Sequence, residues 1–385
     1  MAETQELFKN FRLQEMALPA RPSQQSLAIL RHPDRRTNWT ITGLFHLDRA
    51  CWPESAVEIA ALLEQRISML ATHFPIINAR LHRMTWQPGQ APVVRILESV
   101  PSNGMPPSEA RKFDLSVEPP LRVAVAPDGR FFTLAAHHAA LDGHHAIAVA
   151  KVLCGQPIER AVIQNDHSMQ RTNLSKPPIL PWDYLVRLMR PATRVEPSLS
   201  LPSHDSFVAR ELPLVGRSPT ATVAAACLRA ICAYNEAKNS SCKRASITIS
   251  TPSYAVGENT ASYVRVDIRR IAEVKAEVER AIAKKETPWE FAHTPIWLPV
   301  LAPLSRRLSD TFLLTNLGRI SLKGVQSAEL YPVARGRSAV AFAMARLEGG
   351  KSTLTIHARD LNYSDAASLL DDVVSQLPNQ DRGFN

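Results

Sequence analysis

His137-His138-Ala139-Ala140-Leu141-Asp142-Gly143-His144-His145 holds four of the chain's twelve histidines within nine residues. The run before it, Phe131 to Ala136, is almost wholly apolar and reads as a strand buried on both faces. Upstream, Leu121, Val123 and Val125 alternate along another strand, and Pro127-Asp128-Gly129 has turn chemistry, so the two strands form a hairpin. The run after the motif, His144 to Leu153, has a helical pattern. A junction between a strand end and a helix start is a rigid place from which to present a side chain into a cleft.

On the N-terminal side, Ile41 to Leu47 reads as a strand and Pro53 as the opening of a helix. Ile59, Leu62, Leu63, Ile67 and Leu70 recur at helical spacing, and His73-Phe74-Pro75 stops that helix. On the C-terminal side, residues 155 to 205 are rich in proline and polar residues and read as a crossover, with a short helix over Trp182 to Met189. Ser218-Pro219 reads as an N-cap and a first-turn proline, ahead of a helical face of Val223, Cys227, Ile231 and Tyr234. Strands follow at Ile247 to Ile249, at Tyr263 to Ile268, and at Phe312 to Leu314, the last ending at Asn316-Leu317-Gly318. Ser338 to Ala345 and Ser352 to Ala358 flank Glu348-Gly349-Gly350-Lys351 as a hairpin, and Ala366 to Leu377 forms an amphipathic closing helix. Trp289, Phe291 and Trp297 read as packing residues, with the lining of an apolar pocket as the alternative.

Length agrees with this organisation, since 385 residues suit two domains of roughly 150–200 each. The expected division is residues 1–190 and 191–385. Each half mixes helices and strands, which makes the fold class α/β (α+β). Hydrophobic residues make up 45% and charged residues 21%, enough apolar material for a sizeable core and too much for a disordered chain.

The net charge is +9 and the pI about 9.5. The tightest basic groups are only pairs, Arg35-Arg36, Arg269-Arg270 and Arg306-Arg307, so nothing resembles a nucleic-acid-binding stripe. The five cysteines are Cys51, Cys154, Cys227, Cys232 and Cys242. Their odd number and the absence of CxxC predict neither a disulfide framework nor a zinc knuckle, and suit a reducing compartment. The N-terminus lacks a basic start followed by an apolar run, and no stretch approaches the length of a membrane span. A cytoplasmic protein is expected.

His-His-x-x-x-Asp-Gly over His137 to Gly143 resembles the signature of the CoA-dependent acyltransferase superfamily. That group contains chloramphenicol acetyltransferase, condensation domains of nonribosomal peptide synthetases and polyketide-associated acyltransferases. The continuation into His144-His145 and a helix is most similar to the polyketide-associated branch. Further segments agree in order: Leu70 to Leu81, Phe113-Asp114-Leu115 with Pro120-Leu121-Arg122, Thr222 to Asn235, and Thr315-Asn316-Leu317-Gly318. The second motif of plant-type relatives, Asp-Phe-Gly-Trp-Gly, is absent from the sequence, which points to a bacterial-type member. The chain is shorter than a full condensation domain and carries no adenylation or carrier domain, so a free-standing enzyme is expected.

The resemblance implies two chloramphenicol-acetyltransferase-like domains in a V, with a tunnel between them that admits an acyl thioester from one side and an acceptor from the other. It makes His138 the catalytic base. His137 and Asp142 take structural roles, with Asp142 paired to an arginine. Gly143 would let the backbone turn and leave room for the thioester arm. Asn316, Gly318 and His145 are the candidate substrate-binding residues, either lining the tunnel or supporting its walls.

The chemistry follows from the residue types. A thioester is already activated, so the catalyst needs a base for the attacking alcohol or amine rather than a covalent nucleophile. Histidine, with a pKa near 6.5, suits that task at neutral pH. The oxyanion needs aimed donors, and backbone N–H groups near Gly143 and the following helix start are candidates. No cofactor is expected beyond the acyl-CoA or acyl-carrier-protein thioester, whose acidic character suits a basic surface. Expected partners are the thioester donor, a hydroxyl or amine acceptor and an acyl carrier protein. Neither nucleic acid nor a transmembrane segment is expected. The activity expected is that of an EC 2.3.1-type acyltransferase in lipid or secondary-metabolite biosynthesis. A metal site built from His138, Asp142 and His145 is the rival chemistry, but the spacing is not that of His-Glu-x-x-His. A non-catalytic binding protein of the same fold, and amide formation, cyclisation or epimerisation in the same cleft, are the competing functions.

Overall fold

The computed structural model describes residues 18–32, 37–100, 104–157, 182–213, 218–251, 262–284, 309–334 and 340–378. The packing expectations for Trp289, Phe291 and Trp297, and the pairs Arg35-Arg36 and Arg306-Arg307, lie outside these residues.

A short helix, α1 (Gln24–Leu30), precedes β1 (Thr40–Leu47). The next helix, α2 (Ala56–His73), starts after the expected Pro53, because Ser55 is its N-cap and accepts from the Glu58 N–H at 3.2 Å. Phe74 ends it ahead of Pro75. Ile59, Leu63 and Ile67 are fully buried, each contributing about 1.5–3 kcal/mol through apolar burial. A hairpin of β2 (Ala79–His82) and β3 (Thr85–Pro88) turns at Arg83-Met84, both with positive φ (47° and 60°), and β4 (Val94–Ile96) follows. Beyond a single-turn helix, α3 (Pro107–Ala110), the expected hairpin forms from β5 (Leu121–Val125) and β6 (Phe131–His137). Strand β6 is buried throughout, as its composition predicts. The alternation expected in β5 does not translate into alternating exposure, because Arg122 is buried as well. Glu118 holds its guanidinium at 2.7 and 2.9 Å, two carbonyls accept from it, and the Phe113 ring lies 3.7 Å away. The motif then opens α4 (Gly143–Leu153).

The second half begins with α5 (Trp182–Met189), and β7 (Ser206–Glu211) follows it. Pro219 starts α6 (Pro219–Ala237), but Ser218 is left-handed (φ 60°, ψ 55°) and makes no side-chain cap. The expected N-cap role fails because only an extended backbone swings the hydroxyl over the first-turn N–H groups. Val223, Cys227 and Ile231 are fully buried, and interspersed alanines bury most of the remaining circumference. Contrary to the expectation from cysteine count, Cys232 and Cys242 form a disulfide, with Cα atoms 5.3 Å apart. The cysteines therefore give no argument for a reducing compartment.

An antiparallel pair follows, β8 (Ala245–Thr251) and β9 (Ser262–Ile268), and then α7 (Val274–Lys284). The next strand, β10 (Phe312–Ile320), does not end at Asn316-Leu317-Gly318 as expected; it passes through that segment with a register irregularity between Asn316 and Arg319. Strand β11 (Val325–Tyr331) pairs antiparallel with β1 at the far end of the chain. The hairpin of β12 (Val340–Leu347) and β13 (Ser352–Ala358) turns where expected, and α8 (Tyr363–Ser375), capped by Asn362, starts three residues before the expected Ala366.

Two mixed sheets result, ordered β11-β1-β6-β5-β4 and β7-β13-β12-β10-β8-β9. Helices α2 and α4 pack on the first sheet in one core, while α6, α7 and α8 pack on the second in another. This is the expected α/β class. The halves share a strand, since β11 belongs by sequence to the second half and by pairing to the first sheet. The Thr353 hydroxyl donates to the Ala328 carbonyl and the Thr355 hydroxyl to the Leu330 carbonyl, locking β13 to β11. Leu44, Phe131, Phe207 and Tyr331 form a small apolar cluster joining the two sheets. Among the described residues, no helix is long and apolar enough to cross a membrane.

Candidate active site

Strand β6 delivers His137, and the chain then turns tightly: the N–H groups of Ala140 and Leu141 both reach the His137 carbonyl, at 2.9 and 3.1 Å. The backbone of the two histidines is anchored on opposite sides. His137 N–H donates to Pro120 O at 2.9 Å and His138 N–H to Trp39 O at 2.8 Å. The Ser26 hydroxyl of α1 fixes the Ala139 carbonyl at 2.6 Å. The scaffold thus locks the backbone and leaves the two imidazoles in different surroundings.

The His137 ring is buried edge-on to Phe113, and its Nδ1 accepts from the Ala139 N–H at 3.1 Å. Burial, reinforced by neighbouring His138 and Arg122, lowers its pKa to about 3. It is a neutral acceptor that braces the turn.

His138 is 7% exposed and packs against Trp39, ring centroids 6.2 Å apart. Its Nδ1 lies 3.3 Å from the Leu141 carbonyl oxygen, and its Nε2 lies 3.2 Å from the Tyr263 hydroxyl. A carbonyl only accepts, so hydrogen-bond chemistry assigns the proton to Nδ1. Nε2 then carries the lone pair and the phenol donates to it. Tyr263 belongs to β9, so this contact joins the motif after the first sheet to a strand of the second.

Asp142 is the N-cap of α4. Its Oδ1 accepts from the His144 and His145 N–H groups and from His145 Nδ1, each at 2.9 Å. The His145 side chain thus shares this oxygen with the first-turn amides. Burial pushes the carboxyl up, but the His145 charge and the hydrogen bonds from His145 outweigh it and hold Asp142 well below the usual carboxylate range. Burial likewise depresses His145, and the Asp142 carboxylate reverses this, raising its pKa. The His145 ring stacks on Phe74 at 5.7 Å. Its surroundings commit it to the cap and the core, and they do not provide the substrate-binding role expected of it.

Gly143 is the first residue of α4 and does not have a positive φ, so the backbone-turn role expected of it is not needed. A Cβ there would lie 3.4 Å from Leu317 Cδ2, which sets the helix start against the Asn316–Gly318 segment. In that segment Asn316 Oδ1 accepts from the Gly318 N–H at 2.9 Å, and its Nδ2 donates to the Thr220 hydroxyl at 2.8 Å. Gly318 does need to be glycine, with φ +69°. Asn316 and Gly318 therefore shape the strand irregularity facing the motif.

Most helix-start amides proposed as oxyanion donors are occupied. Asp142 takes those of His144 and His145 through its side chain and that of Ala146 through its carbonyl. Gly143 N–H lies ahead of these in the first turn. The rival metal reading meets a geometric objection, because His145 Nδ1 is on Asp142 and His138 Nδ1 is on a carbonyl. Among the described residues, no three His, Cys, Asp or Glu side chains cluster to hold a metal ion.

Tyr263 and Trp39 are the residues that sequence reasoning missed. Tyr263, Arg265 and Asp267 alternate with buried Val264, Val266 and Ile268, so the pattern puts Tyr263 on the face of β9 opposite the helices. Nothing in it shows that this face meets a histidine 125 positions earlier.

No family model matches the sequence, and no curated protein matches it. Solved structures do. The first condensation domain of the calcium-dependent antibiotic synthetase, bound to a substrate analogue, superposes with a TM-score of 0.60 at 12% identity, over 94% of this chain and 96% of that one. The wax ester synthase/diacylglycerol acyltransferase from Marinobacter aquaeolei VT8 gives 0.57 at 15%, over 94% and 100%. The epimerization domain from the third module of tyrocidine synthetase B gives 0.55 at 14%, over 95% and 97%. At these identities the likeness is one of fold. The chain has the fold shared by condensation domains and CoA-dependent acyltransferases.

Proposed function

We propose that the protein is an acyltransferase that moves an acyl group from a CoA or carrier-protein thioester to a hydroxyl acceptor, with His138 as general base. The observation that carries this reading is the tautomer of His138. The Leu141 carbonyl holds the proton on Nδ1, and Nε2 presents its lone pair to a hydroxyl group between the two sheets. In the reaction the acceptor hydroxyl sits at Nε2. As its oxygen attacks the thioester carbonyl, the proton passes to His138. The new C–O bond forms and the carbonyl oxygen becomes an oxyanion, for which the Gly143 N–H, outside the Asp142 cap, is the candidate donor. Collapse breaks the C–S bond, and His138 returns its proton to the leaving thiolate.

Donor and acceptor would enter a cleft between the two sheets from opposite sides. The basic surface suits the phosphates of CoA or an acidic carrier protein. The fold shared with a wax ester synthase/diacylglycerol acyltransferase supports ester formation in lipid or secondary-metabolite synthesis. Proton abstraction from a carbon acid is the second reading, favoured by the fold shared with an epimerization domain. The hydroxyl already seated on Nε2 favours the first.

The test is to incubate the protein with acyl-CoAs of graded length and a set of small alcohols and amines, and to identify products by mass spectrometry. Ester formed by wild type and not by His138→Ala supports the proposal. Amide with no ester reassigns the acceptor. No product from CoA or carrier-bound donors contradicts acyl transfer.

A further inference from the structure

His138 has one lone pair to offer once Nδ1 is protonated, and in this structure a side chain of the protein occupies it. The Tyr263 hydroxyl is 3.2 Å from Nε2. The phenol is half-buried, and its ring packs against the apolar cluster of Leu313, Ala334 and Ala341 on β10, β12 and the segment after β11. The backbone of Tyr263 is paired with Ser250 of β8. The ring is therefore held while the hydroxyl reaches across to the other sheet. An acceptor hydroxyl and the Tyr263 hydroxyl cannot both donate to the same lone pair.

We infer that Tyr263 is a positioning residue on the acceptor side. In the free enzyme its phenol holds the acceptor's place on His138 Nε2, and it leaves when a hydroxyl acceptor binds. This rests on the reading of His138 as the base. The arrangement has two consequences. A bound donor without an acceptor meets a base that is already occupied, which suppresses attack by water. An acceptor must replace a hydrogen bond in kind, which favours a hydroxyl donor over a group that cannot donate.

The variant is Tyr263→Phe, which keeps the ring and its packing and removes the hydroxyl. The net worth of one neutral hydrogen bond sets the size of the effect, about 2- to 10-fold. In Tyr263→Phe, KM for the alcohol acceptor falls by that factor while kcat and KM for acyl-CoA stay unchanged. Thiol release from acyl-CoA without acceptor rises. An unchanged acceptor KM with unchanged hydrolysis overturns the inference. So does a loss of kcat of tenfold or more at unchanged acceptor KM, which would make the phenol a participant in the chemical step. An acyl group found by mass spectrometry on Tyr263 of wild type overturns it too, by making the phenol a nucleophile.

A second measurement is independent of turnover. In 15N spectra of the free protein, the His138 Nε2 resonance moves downfield in Tyr263→Phe as the unprotonated nitrogen loses its donor. A resonance that stays put overturns the inference whatever the activity. A shifted resonance in a protein that releases no thiol from any donor would instead sink the acyl-transfer reading and leave Tyr263 seated on the histidine.

Discussion

Asp142 Oδ1 lies 2.9 Å from His145 Nδ1, so the residue capping α4 is ion-paired to a histidine in the first turn of the same helix. A cation at a helix N-terminus opposes the helix dipole. Here the carboxylate compensates by sitting between the imidazolium and the first-turn amides. The imidazolium loses its charge as pH rises, and the geometry of the motif turn thereby becomes sensitive to pH.

The sign of that sensitivity follows from linkage. His145 has a raised pKa in the folded state, so its contribution to stability is full below its unfolded value near 6.5 and is lost as pH rises through the folded value. Asp142 has a lowered pKa, so its contribution is full above about 3.9 and is lost as pH falls through the folded value. The pair stabilises most between about pH 4 and 6.5. Urea denaturation at pH 6 and pH 9 is expected to show wild type losing stability towards pH 9, and His145→Gln showing a weaker loss.

His137 carries the opposite slope. Its folded pKa of about 3 means that the unfolded chain binds a proton that the folded protein refuses between there and about 6.5. Stability therefore falls as pH drops through that range. The variant His137→Gln, which keeps an acceptor, is expected to flatten the acid side of the stability profile, measured by thermal melts from pH 7 to pH 4. An unchanged acid slope would mean that this imidazole is not held neutral.

Gly143 lies against Leu317, the neighbour of Gly318, but the two glycines behave differently. At Gly318 an alanine meets open space, and its cost is the left-handed backbone, about 1–2 kcal/mol, seen as a lower unfolding midpoint. At Gly143 the backbone is ordinary and helical, so alanine leaves stability equal or higher. Its methyl instead enters the space beside Leu317, and kcat/KM for the acyl donor is expected to fall by roughly tenfold or more as the donor is displaced. The two variants thus separate stability from activity.

The disulfide between Cys232 and Cys242 closes a short loop at the end of α6. By the loop-entropy relation a loop of this length stabilises by about 2–3 kcal/mol. Non-reducing peptide mapping should recover a 232–242 cross-link. Cys242→Ser should lower the unfolding free energy by about that amount. Buried Cys154 and Cys227, whose thiols burial pushes well above the usual thiol range, should resist alkylation in the folded state.

The local parts of the fold were legible in the sequence. Strand β6, the Pro127-Asp128-Gly129 turn, the apolar rows of α2 and the helix after Gly143 each announce themselves by composition or period over a few residues. The motif itself was legible for the same reason. The β2–β3 hairpin was not, because its turn at Arg83-Met84 takes positive φ without the Asn or Gly that usually signals it. Strand β11, Val-Gln-Ser-Ala-Glu-Leu-Tyr, lacks a clean alternation of apolar and polar residues, and its partner β1 lies nearly 300 residues away. The Asp142–His145 pair hides because His145 also reads as tunnel wall and the resemblance assigns Asp142 an arginine. Tyr263 hides because its partner is set by how two sheets meet, which no local pattern encodes.

Thiol release from acyl-CoA in the presence of an alcohol acceptor, measured for wild type and His138→Ala side by side, tests the central claim most directly. The account predicts turnover in wild type and a loss of about 10²-fold or more in the variant, the scale of removing a general base. A variant that releases thiol as fast as wild type would contradict it and remove His138 from the chemistry.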